Sequence, residues 1–366
     1  MKAKVIAFYL PQFHPIPEND SWWGKGFTEW TSVGKAKRYY RGHYQPRVPA
    51  DLGYYDLRLP QIREEQAILA KEAGIAAFCY WHYWFGKGKE LLEYPLKEVV
   101  RLQAPKFPFC LGWANHSWYN KSWNSDKQTI IPKLLIEQTY PGKEDIVNHF
   151  NTMLPMFKDE RYFKIHGRLL FLIYSPVDIP NFDQFKTIWN DLAVKNDLPG
   201  FYFIANLEDL SLVKKEEIKK YDAISLCRLY SSWNIEGNII NRYYRKITRN
   251  VSRLLGYPLN RTAYKNAILK IDSSLYEQEN IFPNIIPCWD NSPRRGPGAY
   301  IYDNSTPELF KKHVDMILER IKNKKEEDKI IFLKSWNEWA EGNYIEPDLK
   351  WGKAYIKALR SSLEGK

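Results

Sequence analysis

The sequence has few cysteines and lacks the patterns that would give them a structural role. Cys79, Cys110, Cys227 and Cys288 are far apart, form no Cys-x-x-Cys pair and lie in no cluster with histidine at zinc-binding spacing. Each falls in or at the end of an apolar run, where a thiol behaves as a small buried hydrophobic group. We therefore predict four buried, reduced cysteines, with no disulfide and no metal site.

Motifs for common cofactors and nucleophiles are also missing. The chain has no Gly-x-Gly-x-x-Gly dinucleotide motif, no Gly-x-x-x-x-Gly-Lys-Ser/Thr phosphate loop and no Gly-x-Ser-x-Gly nucleophile elbow. It has no Asp-x-Asp triplet either, which many metal- and nucleotide-sugar-dependent transferases use. These absences predict that the protein binds no cofactor.

Long apolar segments are absent as well. No run approaches the roughly 18 residues needed to span a membrane, and the mean hydropathy is −0.52. The N-terminal residues Met1–Leu10 enter a strand-like run at once and lack the long apolar region and cleavage site of a signal peptide. Together with the reduced cysteines, this predicts a cytoplasmic protein.

The chain carries a net charge of +11, and part of this excess is concentrated in one segment. This segment has eight basic residues and no acidic one: Arg242, Arg245, Lys246, Arg249, Arg253, Arg261, Lys265 and Lys270. Arg242–Lys270 therefore suits an anionic glycan or the surface of a lipid carrier, although an ordinary solvated helical face has a similar composition. Aromatic and basic residues are not interleaved in one compact module, so we expect no nucleic-acid partner.

Eight apolar, strand-like runs are separated by helical patterns. They are Val5–Tyr9, Ala76–Trp81, Phe107–Trp113, Leu169–Tyr174, Phe201–Asn206, Ala223–Cys227, Ile285–Trp289 and Ile330–Ser335. Several are continuous rather than alternating, which is typical of parallel strands covered on both faces. Eight such strands alternating with helices favour an α/β fold, a (β/α)8 barrel of the TIM type, over an open doubly wound sheet.

Helix start and stop signals lie between these runs. They predict helices over Gln61–Ala73, Glu144–Lys158, Asp183–Asn196, Lys214–Lys220 and Trp351–Leu363, and another that opens at Thr306. No repeat or linker marks a boundary, so we predict a single catalytic domain over residues 1–366. Its long loops follow strands 1 and 3, and a basic helical segment is inserted near residues 230–279.

The most informative stretch is Ser335-Trp-Asn-Glu-Trp-Ala-Glu-Gly-Asn-Tyr-Ile-Glu-Pro347, which follows the last predicted strand. Glu338 and Glu341 are three residues apart and are flanked by tryptophans. On a helical turn they would share a face, so that one carboxyl group is kept neutral while the other stays charged. Such a pair beside indole rings suits chemistry at the anomeric centre of a sugar. A solvated helix start whose acids complement the helix dipole is the alternative.

Aromatic residues cluster at predicted strand ends. Twelve of the fourteen tryptophans lie at or soon after such an end, where a (β/α)8 barrel carries its functional loops. Indole faces next to polar groups suit a sugar-binding cleft, and packing beneath long loops is the alternative. After strand 7, Arg294 and Arg295 could hold a phosphate or carboxylate, or pair with acids in the loop.

Seven motifs lie along the chain, from the first predicted strand to the last. They are Phe8-Tyr-Leu-Pro-Gln-Phe-His-Pro-Ile-Pro-Glu-Asn-Asp20, Trp22-Trp-Gly-Lys-Gly-Phe-Thr-Glu-Trp30, Phe78-Cys-Tyr-Trp-His-Tyr-Trp-Phe85, Gly112-Trp-Ala-Asn115, Leu135-Ile-Glu-Gln138, Trp289-Asp-Asn-Ser-Pro-Arg-Arg-Gly296 and Ser335-Trp-Asn-Glu-Trp-Ala-Glu-Gly342. Together these motifs resemble the WbsX family of polysaccharide-biosynthesis proteins. The family is glycosyltransferase-like, and it is similar to glycoside hydrolase family 99, the endo-α-mannosidases and endo-α-mannanases with a (β/α)8 barrel.

This resemblance implies roles for both glutamates. Glu338 would deprotonate the 2-hydroxyl of the sugar, which closes onto the anomeric carbon as a 1,2-anhydro sugar. Glu341 would protonate the leaving oxygen and then activate water. The chain departs from the pattern at Asn115-His-Ser-Trp118, where relatives often have Asn-Glu-Asn-Trp, so substrate preference is expected to differ there.

We predict that an oligosaccharide or polysaccharide substrate contacts polar and aromatic residues near the strand ends. They are Tyr9, Gln12, His14, Trp23, Glu29, Trp30, Tyr80, His82, Trp113, Asn115, Trp118, Tyr174, Trp289, Asp290, Arg294, Trp336 and Asn337. The leading hypothesis is an enzyme that cleaves or transfers a glycosidic linkage in cell-surface polysaccharide (O-antigen or capsule) metabolism. A nucleotide-sugar glycosyltransferase of lipopolysaccharide or capsule biosynthesis and a non-catalytic glycan-binding barrel are the alternatives.

Overall fold

Eight parallel strands form a closed barrel. The computed structural model describes residues 2–120, 133–231 and 239–365; the side chains of residues 120, 212 and 239–245 lie outside this description. The barrel strands, in chain order, are β1 Lys4–Tyr9, β2 Ile75–Trp84, β3 Phe109–Trp113, β4 Arg168–Ile173, β5 Phe201–Leu207, β6 Ala223–Leu226, β7 Ile281–Ile285 and β8 Ile330–Leu333. Each pairs with the next, and β8 closes the barrel on β1 through pairs such as Lys4 with Ile330. The predicted (β/α)8 barrel is confirmed.

Helices connect the strands and cover the barrel. They are α1 Pro17–Trp23, α2 Glu29–Gly34, α3 Pro60–Ala73, α4 Tyr94–Arg101, α5 Lys143–Phe157, α6 Phe182–Lys195, α7 Lys215–Ile218, α8 Ile239–Leu255, α9 Tyr264–Ile271, α10 Ser292–Arg295, α11 Pro307–Ile321 and α12 Ala354–Glu364. Short 3₁₀ turns lie at Leu210–Leu212, Ser274–Glu277, Gly296–Gly298, Glu326–Asp328 and Trp339–Glu341. Across the described residues, no helix has both the length and the apolar character needed to cross a bilayer.

Shorter strands lie outside the barrel. They are Glu90–Leu91, Trp118–Asn120, Lys133–Ile136, Lys164–Ile165, Asn260–Ala263, Tyr300–Asp303, Asn337–Glu338 and Asn343–Tyr344. Asn260–Ala263 pairs in parallel with Tyr300–Asp303, and this joins the inserted segment to the loop that follows β7. A small apolar cluster that includes Tyr264 and Trp289 forms beneath that joint.

Most strand and helix positions follow from local sequence signals. The predicted helix over Gln61–Ala73 is α3, which begins at Pro60 and ends at Gly74 in a left-handed conformation with φ of 81°. Thr306 caps α11, because its side chain accepts a hydrogen bond from the backbone N–H of Leu309 at 3.3 Å. The four cysteines are buried and free, as predicted.

One strand prediction is wrong. The sequence predicts strand 7 at Ile285–Trp289, but β7 covers Ile281–Ile285 and the later residues begin the loop that follows it. The strand contains Pro283, which lacks the N–H that a ladder hydrogen bond needs and so argues against a strand when only the sequence is read. This shift places Trp289 on the loop with Asp290 rather than in the strand.

The basic insertion contains a helix, α8, as predicted. Its apolar residues Ile247, Val251 and Leu255 recur every four positions, but this helix is not an ordinary amphipathic one. Ile247 and Val251 are exposed to solvent instead of packing on the barrel. Arg242 and Arg245 have side chains outside the described part of the chain, and Trp123 and Trp233 lie wholly outside it.

Candidate active site

The two glutamates lie on a tight hairpin at the carboxyl end of β8. Asn337–Glu338 pairs antiparallel with Asn343–Tyr344, and the 3₁₀ turn Trp339–Glu341 connects the two short strands. Glu338 and Glu341 are thus separated by one 3₁₀ turn rather than by the α-helical turn that the spacing predicted. Residues 337–344 are called the glutamate hairpin below.

Gly342 fixes this hairpin against neighbouring loops. Its φ is 59°, in the left-handed region that favours glycine, and a Cβ there would lie 3.0 Å from the Arg47 guanidinium carbon and 3.0 Å from Cβ of Asp290. The guanidinium of Arg47 donates a hydrogen bond to the carbonyl of Gly342 at 3.1 Å. Any larger residue at position 342 would push the turn away from both neighbours.

Glu338 is buried and held by two neutral donors. Its carboxylate accepts a hydrogen bond from the indole N–H of Trp81 at 3.2 Å and another from the amide of Asn343 at 3.2 Å. Trp81 lies at the end of β2, and its ring stacks on Phe8 with centroids 4.7 Å apart. Two N–H donors from rigid elements fix the orientation of the carboxylate.

Glu341 is more exposed and is paired with a cation. One nitrogen of Arg294 lies 2.9 Å from Glu341, and another binds both oxygens of Glu29 at 2.8 and 2.9 Å. Burial raises the pKa of Glu29, and the positive charge of Arg294 opposes that rise. Burial also disfavours the charged form of Arg294, but Glu29 and Glu341 outweigh it and raise the arginine pKa. The arginine is therefore a permanent cation shared by two carboxylates.

Glu29 ties this ion pair to the hairpin itself. Its carboxylate accepts a hydrogen bond from the backbone N–H of Ala340 at 2.9 Å, and its side chain is almost fully buried. Glu29 begins α2, and Arg294 lies on α10, so three loops of the barrel meet at the turn that carries Glu341.

The charges of both glutamates act on Lys334 and Tyr174. Burial would lower the pKa of Lys334, but the nearby charges, Glu338 first and Glu341 among the others, raise it, so the amine stays protonated. Burial raises the pKa of Tyr174 to about 12; Lys334 opposes this, and both glutamates add to it. The same two side chains therefore lie near both carboxylates.

Aromatic rings form a wall beside Glu338. Burial and then Glu338 raise the pKa of Tyr83, which places its phenol near that carboxylate. Trp118 packs edge-on against Tyr83 with centroids 5.0 Å apart, and Trp22 lies 6.0 Å beyond it. Tyr174 packs edge-on against Trp81 at 5.6 Å. Such rings offer faces for the C–H surface of a sugar.

Asp290 supports the hairpin from the loop after β7. Its carboxylate lies 2.8 Å from Nε2 of His43 and accepts a hydrogen bond from the Gln45 amide at 2.8 Å. Burial opposes ionisation, but the His43 hydrogen bond and the charge of Arg47 lower the pKa of Asp290 to about 2. Its backbone N–H donates to the carbonyl of Glu341 at 2.7 Å. Asp290 also lines a cavity of about 190 Å³ to which neither glutamate contributes.

A buried carboxyl group, Glu346, braces the other side of the hairpin. It accepts hydrogen bonds from the Trp339 indole at 2.7 Å, the Gln66 amide at 2.7 Å and the Tyr55 hydroxyl at 2.9 Å. Burial raises the pKa of Glu346 to about 7, although these hydrogen bonds oppose the rise. Trp339 in turn stacks on Tyr344 with centroids 3.8 Å apart.

Several predicted substrate-binding residues have structural roles at the hairpin. The Asn337 amide bonds both backbone groups of Leu10, at 2.8 and 3.1 Å, and Trp336 is fully buried. Trp30 packs on Trp339 at 5.3 Å and donates its N–H to the carbonyl of Tyr55. The Trp289 ring is buried 5.8 Å from Nζ of Lys334.

Four predicted residues lie in the layer between the barrel and its helices, which corrects their assignment to the sugar site. They are Tyr9, Tyr80, His82 and Trp113, and all are buried. His82 pairs with His149 at 2.8 Å, and burial lowers the pKa of His82 to about 3. Side chains alternate along a strand, so Tyr80 and His82 point outward while Trp81 and Tyr83 point to the glutamates.

The remaining predicted residues lie around the rim. Asn115 is buried and bonds the Ser175 carbonyl at 2.8 Å, and His14 is buried 6.0 Å from the Tyr94 ring. Trp23 packs on Phe27, and the backbone carbonyl of Gln12 accepts a hydrogen bond from the N–H of Glu29. The described residues contain no group of three or more His, Cys, Asp or Glu side chains placed to hold a metal ion.

The prediction missed Trp81, Tyr83, Lys334, Asn343 and Glu346. The aromatic run of β2 was visible, but its inward-facing members were not identifiable from sequence because both faces are apolar. Asn343 and Glu346 are in the motif around Glu338, where position alone did not reveal their hydrogen bonds.

Comparisons with known proteins agree with this architecture. Solved structures with a similar fold include the GH99 endo-α-mannosidase from Bacteroides thetaiotaomicron (13% identity, TM-score 0.60, covering 100% of this chain and 97% of that one). A glycoside hydrolase-like protein also has a similar fold (15% identity, TM-score 0.56, covering 99% and 94%). At these identities the likeness concerns the fold alone.

Sequence relatives give the family. The uncharacterized protein WxcX of Xanthomonas campestris pv. campestris is 32% identical over 99% of this chain, and the chain spans about half the length of that relative. The family model described as glycosyltransferase WbsX matches residues 5–359. The chain therefore belongs to the WbsX glycosyltransferase family.

Proposed function

We propose that this protein cleaves or transfers a glycosidic linkage in a cell-surface polysaccharide, with retention through a 1,2-anhydro sugar. Membership of the WbsX family supports a carbohydrate-active enzyme of polysaccharide metabolism. The observation that carries the proposal is the placement of Glu338 and Glu341 on one tight hairpin, with Lys334 and Tyr174 near both carboxylates. Two neighbouring carboxyl groups suit acid–base chemistry at a glycosidic bond.

Glu338 has the environment of the base. Trp81 and Asn343 donate to its carboxylate and hold it in one orientation, and the protonated amine of Lys334 lies nearby. In this proposal the proton comes from the 2-hydroxyl of the bound sugar, whose oxygen then closes onto the anomeric carbon as the glycosidic bond breaks. The protein forms no covalent bond to the sugar in that step.

Glu341 has the environment of a group that exchanges protons with substrate and water. It is more exposed than Glu338, with a side chain 21% accessible. When Glu341 is protonated, Arg294 keeps an anionic partner, because Glu29 binds it through both oxygens. Glu341 can thus protonate the leaving oxygen, and afterwards accept a proton from water or from an acceptor hydroxyl that opens the anhydro ring.

The test is substitution of each glutamate by glutamine. Glu338→Gln and Glu341→Gln are expected to abolish turnover while oligosaccharide binding is retained. Near-normal turnover in both variants would overturn the proposal.

A nucleotide-sugar glycosyltransferase is the second candidate, favoured by arginine side chains beside the glutamate hairpin that could face a diphosphate. Thermal stabilisation by sugar nucleotides alone, with or without a divalent metal, would support it. Stabilisation by oligosaccharides alone supports the linkage-cleaving enzyme.

A further inference from the structure

Helix α8 exposes its apolar face and buries its polar face, which is the reverse of an ordinary surface helix. Its outer face is apolar: Ile247 is 59% exposed, Leu254 78% and Leu255 62%, and Val251 lies on the same side. Its inner face is polar, with Ser252 fully buried. A surface helix of a globular protein normally buries its apolar side and exposes its polar side. Packing on the barrel therefore does not explain the composition of this helix, and we expect each of its faces to contact a binding partner.

Arginines on the inner face meet the loop that carries Arg294. Arg249 and Arg253 are one turn apart on α8, and both approach Gly298 closely. The site of a Cβ at Gly298 lies 3.1 Å from Cγ of Arg249 and 3.1 Å from Nε of Arg253. Arg295 directly precedes the Gly296–Gly298 turn. Because Gly298 has no side chain, Arg249 and Arg253 can approach the loop that carries Arg295.

These three arginines repel one another. Burial lowers the pKa of Arg253, and the positive charges of Arg249 and Arg295 lower it further. Within the described residues, neither Arg249 nor Arg295 forms an ion pair with a carboxylate, and the buried Nε of Arg249 has no hydrogen-bond partner. Their neighbour Arg294, in contrast, is neutralised by Glu29 and Glu341. Like charges held together at partly buried positions favour an anion between them.

The arginine group borders the glutamates. Tyr230 links the two: burial and Glu208 raise the pKa of its phenol, Glu341 raises it further, and Arg295 lowers it. The Tyr230 ring also packs edge-on against Trp289, with centroids 6.0 Å apart. Arg295 also follows Arg294 in α10, and the Arg294 guanidinium lies 2.9 Å from Glu341, so the arginine group adjoins the glutamate hairpin.

We propose that Arg249, Arg253 and Arg295 form a site for a phosphate-type oxyanion carried by the substrate next to the linkage that is cleaved or transferred. One guanidinium group can bind two phosphate oxygens through two parallel N–H donors. Three guanidinium groups therefore suit a phosphate or a diphosphate. This inference rests on the proposed function for the identity of the linkage, but the oxyanion site itself can be tested without turnover.

The outer face of α8 indicates where such an oxyanion comes from. Exposed Ile247, Leu254 and Leu255, in a segment with no acidic residue from Arg242 to Lys270, match a helix that lies in the interface of an anionic bilayer. We therefore infer that the oxyanion is the phosphate of a membrane lipid that carries a glycan. A free phosphorylated glycan offers the same chemistry without the bilayer.

The first arm of the test measures binding of inorganic pyrophosphate by isothermal titration calorimetry at constant ionic strength. Arg249→Gln and Arg295→Gln are each expected to weaken binding about 10-fold, the effect of losing one charge-assisted hydrogen bond. Lys246→Gln removes an exposed cation from the same helix and is expected to change binding less than about 2-fold, since solvent and salt screen an exposed charge. Arg249→Lys, which keeps the charge and the fold, is expected to retain part of the affinity.

The second arm measures flotation with phosphatidylcholine vesicles that contain or lack phosphatidylglycerol. The double variant Leu254→Ser, Leu255→Ser is expected to lose binding to the anionic vesicles and to keep pyrophosphate binding. Pyrophosphate binding with no vesicle binding would retain the oxyanion site and assign it to a soluble phosphorylated glycan.

Absence of saturable pyrophosphate binding, or equal losses in Lys246→Gln and Arg249→Gln, would overturn the site. Glu338→Gln separates this inference from the proposed function. It is expected to bind pyrophosphate normally, and a fully active Glu338→Gln would refute the proposed chemistry while leaving the oxyanion site intact.

Discussion

The indole N–H of Trp81 donates a hydrogen bond to the carboxylate of Glu338 at 3.2 Å, joining the end of β2 to the glutamate hairpin 257 residues later in the chain. The Trp81 ring is itself fixed by stacking on Phe8 of β1. Barrel strands β1 and β2 therefore set the direction in which Glu338 presents its oxygens.

Removing this donor should slow turnover with little effect on substrate binding. Trp81→Phe keeps an aromatic ring and deletes the N–H, so we expect kcat to fall about 10- to 100-fold, the worth of one hydrogen bond to a charged group. The measurement is a kcat and KM comparison at a temperature where both proteins are folded. Trp189→Phe is the matched control, because the Trp189 indole donates to a backbone carbonyl in the outer layer. An equal fall in kcat for both variants would assign the effect to packing.

Arg294 should not be replaceable by lysine. A lysine offers one compact charge and cannot bind Glu29 through two oxygens while reaching Glu341. We expect Arg294→Lys to lower kcat/KM about 10- to 100-fold, since at least one charge-assisted hydrogen bond is lost. The control is Arg58→Lys, which alters an arginine that also binds one carboxylate, Asp56, through several hydrogen bonds, but on an exposed surface. Wild-type kinetics in Arg294→Lys would show that the shared guanidinium is dispensable.

Glu346 should make stability depend on pH. Its folded-state pKa of about 7 lies above the ordinary value of 4.5. The folded protein therefore holds a proton that the unfolded chain releases, so the stabilisation is fully present below about pH 4.5 and is lost as pH rises through 7. The free energy of unfolding of the wild type should fall by about 3 kcal/mol over that range on account of this group.

Urea denaturation at a series of pH values compares the wild type with Glu346→Gln. The glutamine variant has no proton to lose at this position, so its stability should change less between pH 4.5 and 7.5. Parallel profiles would mean that Glu346 titrates near its ordinary pKa.

Local sequence signals predicted the barrel well because strand and helix formation depend on neighbouring residues. The caps of α3 and α11 were readable at Gly74 and Thr306. β7 was misplaced because Pro283 is tolerated at a position that local rules disfavour. The reversed face of α8 was not predictable, since the apolar repeat specifies a helix but not which way it faces.

The same distinction between local signals and long-range contacts applies to the candidate site. Glu338 and Glu341 are visible as a local pair, and the structure keeps them on one tight turn. The contact between Arg294 and Glu29 spans 265 residues and requires the closed barrel. The orientation of β2 could not be predicted either, because a strand buried on both faces has no polar alternation to separate Trp81 from His82.

The measurement that most directly tests the account follows anomeric proton signals by NMR while oligosaccharides of the source cell's surface polysaccharide are incubated with the wild type, Glu338→Gln and Glu341→Gln. The wild type is expected to change these signals and to form first a product with the anomeric configuration of the substrate. Both variants are expected to bind the oligosaccharide and to leave the signals unchanged. A first product of inverted configuration, or turnover by both glutamine variants, would contradict it.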